Sequence, residues 1–209
     1  MSVVKVEAFG GDSLERANLL LASFPDGAKK AIKAAMPRAV SHLRTKSTER
    51  IRERYAISAK NVRSDETVKV KYNIGEGVEA TVTFSGGKIP LYRYDGTTPK
   101  QPSWDRSRLV RGLTKEGWKL LPAGKPARAH VLKGTAPTLF EHAFVATMNS
   151  SGHKGIFERN GAGISEIMGL SVAQMVGNEE VAEKLAEDAS KKFEQRMEHE
   201  INRLLNGWR

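Results

Sequence analysis

The five histidines of this chain are the side chains best suited by type to acid–base chemistry or metal binding near neutral pH. They are His42, His130, His142, His153 and His199. Catalytic zinc sites often place two histidines in an HExxH pattern on one helix, and neither this pattern nor an HxH pair occurs. Cysteine is absent, which excludes thiolate nucleophiles and cysteine-based zinc sites. We therefore predict packing or hydrogen-bonding roles for the histidines, with no bound metal.

Short glycine and serine motifs are equally incomplete. Ser85-Gly86-Gly87-Lys88 lacks the GxxxxGK[ST] spacing that cradles phosphates, and Gly161-Ala162-Gly163 lacks the third glycine of a dinucleotide-binding turn. No GxSxG elbow occurs, and acidic residues are sparse outside the final helix, so a two-metal site has no obvious ligands. We predict no cofactor and no enzymatic activity. An enzyme would require a carboxylate or histidine cluster that only the fold assembles.

The strand pattern is clearest in the stretch from Thr138 to Asn178. Residues 140–148 alternate between two faces, and Asn149-Ser150-Ser151-Gly152 supplies the residue types of a tight turn. Residues 153–159 return as a second strand, with Ile156 and Glu158 on one face and Phe157 and Arg159 on the other. This hairpin is the best candidate for the centre of a sheet. An irregular apolar connector is expected from there to Asn178.

The remaining elements would cover and extend that sheet. Helical spacing of apolar residues predicts one helix from Asp12 or Ser13 to Phe24 and a second from Ala28, with a kink or restart at Pro37. Strands are expected at 67–72, 78–84 and 89–94. Asn178 is placed to cap a long final helix, with its apolar stripe at every fourth residue and a stop at Gly207. The stripe comprises Val181, Leu185, Ala189, Phe193, Met197, Ile201 and Leu205.

These elements predict an α+β fold: a mainly antiparallel sheet of about four or five strands, packed by N-terminal helices and a long C-terminal helix. We assign residues 1–209 to a single domain with a basic, loop-rich insertion at about 95–137. That insertion contains five of the eight prolines, and short strands are expected at 108–113 and 127–133. Long loops of this kind often carry binding residues. Its candidate contact residues are Trp104, Arg106, Arg108 and Arg111.

Charge is distributed unevenly along the chain, whose net charge is +10. Residues 28–63 hold eleven basic and two acidic residues, and residues 88–133 hold eleven basic and three acidic ones. Residues 179–200 hold eight acidic and four basic residues. This dipolar distribution fits nucleic acid, an acidic protein partner, or head-to-tail association of identical copies. The alternative is that the charges only solvate helix and loop surfaces.

Neither targeting nor membrane signals are evident in the sequence. The first residues, MSVVKVEAFGG, lack the basic and apolar regions of a secretory signal, and no apolar run approaches the roughly 20 residues that span a bilayer. We expect a soluble protein made in the cytoplasm, with no membrane partner.

Two runs in the Thr138–Asn178 stretch, AFVATMNSSGHKGIFERNG and EIMGLSVAQMVGN, resemble the signature of the phage minor tail protein Z family. These are the tail-completion proteins of siphophages and prophages. The similarity extends over most of the chain and includes Ile89-Pro90-Leu91 and the final acidic helix. It contains no mechanistic motif. The residues His153, Lys154, Gly155, Phe157 and Arg159 of the first run are our candidates for an assembly contact or a core turn.

The resemblance implies a structural virion protein that completes the head-proximal end of a long non-contractile tail and enables head–tail joining. Its expected partners are copies of itself in a ring, for which a hexamer is the expectation, together with the tail terminator, the tail tube and the head–neck connector. DNA passing through the lumen is a further candidate partner. The alternative from charge alone is a basic nucleic-acid-binding protein, although no base-reading module is recognisable.

Overall fold

The structure, a computed structural model, describes residues 11–74, 78–95, 109–114, 117–122, 126–148, 151–160 and 163–207. Within these ranges, α-helices and small antiparallel sheets form a mixed α+β fold with a long C-terminal helix. The fold class predicted from the sequence is confirmed.

The helices follow the apolar stripes of the sequence. They are α1 (Gly11–Leu20), α2 (Gly27–Arg54), α3 (Ala59–Asp65), α4 (Val172–Val176) and α5 (Glu179–Leu205), and a 3₁₀ helix spans Leu91–Arg93. α2 runs as one helix through Pro37, so the restart that the sequence allowed does not occur. Pro37 itself is exposed, whereas Met36 and Ala39 beside it are buried. Packing on both sides of the proline offsets the hydrogen bond that its missing N–H removes.

The strands pair in short antiparallel ladders. They are β1 (Thr67–Ile74), β2 (Val78–Ser85), β3 (Lys88–Pro90), β4 (Leu109–Thr114), β5 (Gly117–Pro122), β6 (Ala127–Ala129), β7 (Thr138–Phe140), β8 (Ala143–Thr147), β9 (Lys154–Asn160), β10 (Gly163–Glu166) and β11 (Met168–Ser171). The pairs are β1–β2, β3–β11, β4–β5 and β6–β7, and the largest sheet among the described residues has three strands in the order β10–β9–β8. The strands are thus divided among small sheets, where the sequence suggested one sheet of four or five.

The chain divides into two compact units. Unit 1 comprises residues 1–51, 65–87 and 172–209, and unit 2 comprises residues 52–64 and 88–171. The chain passes from one unit to the other more than once, a pattern that sequence composition does not reveal. The assignment of 1–209 to a single domain stays a prediction.

Unit 1 is built around the buried faces of α2 and α5 and the inner face of β2. Met36, Leu43, Val82 and Phe193 are among its buried side chains. The β1–β2 hairpin pairs Thr67 with Ser85 and continues in register to its turn, which confirms the predicted hairpin. α2 begins close to α1, since a Cβ on Gly27 would lie 2.8 Å from Leu21 Cβ. Only glycine permits that approach.

The long helix α5 confirms the predicted stripe. Val181, Leu185, Ala189, Phe193, Met197 and Ile201 are all buried, while Leu205 is 42% exposed. Gly207 follows with φ +70, the left-handed backbone expected of a helix stop. Asn178 occupies the N-cap position, but its side chain makes no capping hydrogen bond and its buried Oδ1 has no partner. The helix start was therefore predicted correctly without the side-chain cap that motivated it.

Unit 2 contains the three-stranded sheet and, among its smaller ladders, β3–β11. Tyr94, fully buried, donates its hydroxyl proton to the carbonyl oxygen of Leu170 at 2.6 Å. Gly169 lies against the same ring, where an added Cβ would come within 2.8 Å of Tyr94 Cε2. The Tyr94 hydrogen bond thus links the segment that follows β3 to strand β11.

Residues 160–178 are more regular than the sequence predicted. β10, β11 and α4 lie in what we expected to be an irregular connector. β10 forms by pairing with β9, and β11 forms by pairing with β3. Both strands are four residues long, and their pairing partners differ: β10 pairs with the strand just before it, whereas β11 pairs with a strand about 80 residues earlier.

The 95–137 region is described in part. β4 (Leu109–Thr114) confirms the strand expected at 108–113. β6 begins at Ala127 as expected but ends at Ala129, so the strand expected to reach 133 is shorter than predicted. β5 pairs with β4, joining Leu109 to Pro122 and Thr114 to Gly117. Its description as a binding insertion stays a prediction.

Candidate functional site

The candidate site lies on the β8–β9–β10 sheet, where four of the predicted contact residues are found. Phe157 in β9 pairs with Phe144 in β8 and with Glu166 in β10, so these three residues form one row across the sheet. Residues directly opposite one another in antiparallel strands share a face. The β8–β9 turn closes through a hydrogen bond of 2.8 Å from the Met148 N–H to the His153 carbonyl oxygen. Gly152 has φ +66, as the predicted turn requires.

His153 and Glu166 form the polar contact of this face. The Nε2 atom of His153 lies 2.7 Å from Oε1 of Glu166, and both side chains are partly exposed. Glu166 reaches His153 by passing over Gly155, where an added Cβ would lie 2.3 Å from Glu166 Oε1. Gly155, predicted as part of this element, is thus required because it lacks a side chain.

The rings of two phenylalanines pack beside the His153–Glu166 pair. The Phe144 and Phe157 ring centroids are 6.4 Å apart, and the His153 ring stands edge-on to Phe157 at the same distance. The Arg159 guanidinium carbon lies 5.5 Å from the Phe144 ring centroid, within the range of a cation–π contact. Phe157 is buried, whereas Arg159 is exposed. Phe157 therefore supports the face and Arg159 projects from it.

Lys154 lies on the opposite side of β9 from His153. Its Nζ lies 5.2 Å from the ring centroid of Tyr92 in the 3₁₀ helix. Ile156, which shares this side by alternation, is fully buried. Lys154 and Arg159 are thus both cations held over aromatic rings, on opposite faces of one strand.

The chemistry that this arrangement supports is binding. A carboxylate that accepts a hydrogen bond from imidazole fixes the ring orientation, which catalytic sites also use. In the described part of the chain, no cluster of three or more His, Cys, Asp or Glu could hold a metal ion. Arginine and aromatic residues are enriched at protein contact surfaces, and here the exposed Arg159 lies over the half-buried ring of Phe144.

The described part of the chain does not show the second group of predicted contact residues on this face. Trp104, Arg106 and Arg108 lie outside them. Arg111 lies in β4, where its backbone pairs with Leu120. Phe144, Tyr92 and Glu166 belong to the site but were not predicted as contact residues. For Phe144, the alternation of 140–148 was the available signal, while Glu166 and Tyr92 arrive through pairings that no local pattern encodes.

Unit 1 carries a separate charged region on α2 and α5. Arg50 donates from Nε and Nη2 to Oδ2 and Oδ1 of Asp188 at 2.8 and 3.0 Å, a bidentate ion pair between the two helices. Hydrogen bonding to Arg50 holds the pKa of Asp188 below its usual value, although burial acts in the opposite direction. On the surface of α2, Lys46 bonds to Glu49 and lowers the pKa of that carboxyl.

The chain matches no protein-family model, no curated protein and no solved structure. Membership of the tail protein Z family therefore stays a prediction from the sequence. In the ranges that the structure covers, no helix combines the length and apolarity needed to cross a membrane.

Proposed function

We propose that this chain is a structural virion protein of a long non-contractile phage tail, which completes the head-proximal end and enables head–tail joining. The resemblance to the minor tail protein Z family, which runs over most of the chain, supports the proposal. Its expected setting is the neck of a siphophage or prophage tail. There the protein forms an oligomeric ring, with sixfold symmetry as the expectation, against the tail terminator, tail tube and connector proteins.

The observation that carries the proposal is the architecture of the most characteristic segment. The run AFVATMNSSGHKGIFERNG folds into β8 and β9, and its polar side chains lie over its own aromatic residues. Such an arrangement holds Arg159 and His153 in defined positions at little cost in side-chain entropy on binding. A protein that acts by docking needs this kind of preorganised surface.

Arg159 is the residue best placed to contact a neighbouring subunit. It is exposed, and no carboxylate among the described residues pairs with it. The Phe144 ring orients the guanidinium from one side, so its N–H groups remain available for a carboxylate or carbonyl group of a partner. Arginine at such a position is often among the few residues that dominate an interface.

The first test is the mass of the purified protein by light scattering after size exclusion, at low and high salt, with negative-stain images of the peak. Rings, or a monomer that forms rings on added tail tubes, would support the proposal and give the symmetry. A strict monomer that ignores tail tubes under all these conditions would overturn it.

A matched pair of arginine variants then tests the contact surface. We expect Arg159→Ala to weaken ring formation or tail docking by about tenfold or more, the range of an interfacial hot spot. Arg128→Ala is the control, because Arg128 is also an exposed strand arginine with no described partner. Equal assembly of both variants and the unmodified protein would exclude Arg159 from the interface.

A further inference from the structure

α2 carries an exposed row of cations that no described acidic residue neutralises. Lys30, Lys33, Arg38 and Arg44 are exposed, and none forms an ion pair within the described residues. No acidic residue occurs between Asp26 and Glu49. We call these four residues the α2 stripe.

The spacing of the stripe aligns its charges along one side of the helix. Lys30, Lys33, Pro37, Ser41 and Arg44 follow one another at intervals of three or four residues, which places them on one ridge. Arg38 flanks this ridge. At 1.5 Å per residue, the stripe is about 21 Å long. It is thus a linear array of positive charge.

The acidic helix α5 is a poor match for this array in a second copy of the chain. Five of its eight acids are paired within the chain: Glu180, Glu187, Asp188, Glu198 and Glu200. Glu179, Glu183 and Glu194 are the only α5 acids without an ion pair to another described residue. Most of the acidic charge of α5 is therefore already neutralised by basic residues of the same chain. The four cations of the α2 stripe have no ion pair among the described residues, and a linear array of this kind favours an external polyanion.

We infer that the α2 stripe binds the phosphate backbone of duplex DNA without reading its sequence. Duplex DNA carries one charge per about 1.7 Å of axis, so a 21 Å array faces roughly a dozen phosphate charges. No Phe, Tyr or Trp lies between Lys30 and Arg44, so the stripe lacks the large rings on which single-stranded bases stack most strongly. It also contains no asparagine or glutamine, the usual readers of adenine. This inference is independent of the proposed tail function.

Salt-dependent binding of the full chain to duplex DNA tests the inference. Fluorescence anisotropy would be measured with two unrelated 30-base-pair duplexes from low to moderate salt. We expect similar affinities for both sequences and a slope of log Kobs against log salt of about −3 to −4, the value for four phosphate contacts. A preference for one duplex, or a slope near zero, would overturn the inference.

Two charge-matched triple variants locate the binding surface. Lys30→Gln/Lys33→Gln/Arg44→Gln should make the slope less negative by about 2 to 3 units, since each lost contact removes about 0.9. Lys184→Gln/Lys191→Gln/Lys192→Gln removes the same charge from α5 and should keep the slope of the unmodified protein. Equal loss in both variants would show that net charge alone attracts DNA and would overturn the assignment to α2.

Light scattering on the same variants tests the alternative occupant of the α2 stripe, which is a second copy of the chain. If the α2 variant loses self-assembly but keeps the DNA slope, the stripe is a contact between copies, and the inference is wrong. If assembly persists while DNA binding falls tenfold or more at low salt, the inference stands whatever the outcome for tail docking. Circular dichroism and the melting temperature of the α2 variant should be unchanged, because the side chains of Lys30, Lys33 and Arg44 have no partner among the described residues. The α5 variant loses only exposed lysine contacts on its own helix, which contribute little to stability.

Discussion

Glu166 passes over the α-carbon of Gly155 to bring its Oε1 atom 2.7 Å from Nε2 of His153. The two partners come from different strands, and the residue between them must lack a Cβ. A glycine in the middle of a strand normally weakens it. Here it makes room for the only polar contact between His153 and β10 that the structure describes.

Gly155→Ala should therefore disrupt this contact and destabilise the sheet. The new Cβ would lie 2.3 Å from Glu166 Oε1 and 3.0 Å from the Phe157 ring, so the carboxylate must move and the ring must shift. We expect a loss of about 1–3 kcal/mol in the free energy of unfolding, measured with urea, which is the usual cost of overpacking.

Gly163→Ala is the control for that substitution. Gly163 lies in the neighbouring strand β10, and a Cβ there meets nothing closer than the Asn160 carbonyl oxygen at 3.8 Å. It should leave the urea midpoint nearly unchanged. Equal effects at both glycines would contradict the special role of Gly155.

The Arg50–Asp188 pair should contribute stability that depends on pH. The folded-state pKa of Asp188 is lowered, so its contribution is complete above its unfolded pKa of about 3.8 and is lost as the pH falls through the folded value. Asp188→Asn should cost about 1–3 kcal/mol at pH 7, since it removes the charged acceptor of the bidentate pair with Arg50. It should also flatten the acid end of the stability curve, measured by urea unfolding from pH 7 to pH 2.

Glu187→Gln is the control for the Asp188 substitution. Glu187 pairs with Lys191 on the same helix, but both side chains are more than 60% exposed. Exposed pairs of this kind contribute little to stability. An acid profile for Glu187→Gln as altered as that of Asp188→Asn would show that the bidentate geometry is not the cause.

Removing the Tyr94 hydroxyl should loosen the link between the 3₁₀ helix region and β11. Tyr94→Phe keeps the ring against Gly169 but leaves the Leu170 carbonyl without its 2.6 Å donor. We expect a loss of about 1–2 kcal/mol in unfolding free energy, with faster amide exchange in β11. Tyr92→Phe, at a half-buried ring whose cation–π contact does not use the hydroxyl, should change neither quantity.

Local patterns in the sequence were enough to place the long elements. The four-residue apolar repeat of α5 and the alternation around the β1–β2 and β8–β9 turns depend on periodicities that each segment carries by itself. Gly152 predicted a turn and Gly207 predicted the end of a helix, and the positive φ of both residues confirms these predictions. The two-residue alternation of a strand also placed the hairpin candidates on opposite faces. These candidates are His153, Lys154, Phe157 and Arg159.

The short elements could not be predicted in this way. α3, β10, β11 and α4 have between four and seven residues, too few for a period to be recognised. β11 and α4 pack against β3 and β2, far back along the chain, while β10 forms by pairing with the strand just before it. The strands consequently divide among several small sheets and the chain between two units, although the α+β class was evident from composition and pattern.

The sequence by itself determined the α+β class, the α5 stripe, the main hairpins and the excess of positive charge, because each depends on residue type and local spacing. The tertiary structure alone decided which charges are neutralised and which side chains meet. Most acids of α5 are paired within the chain, and the α2 stripe is not. Glu166 reaches His153, and Arg159 lies over Phe144, because strand register brings them together. Register depends on the packing of whole strands, and a single segment does not encode it.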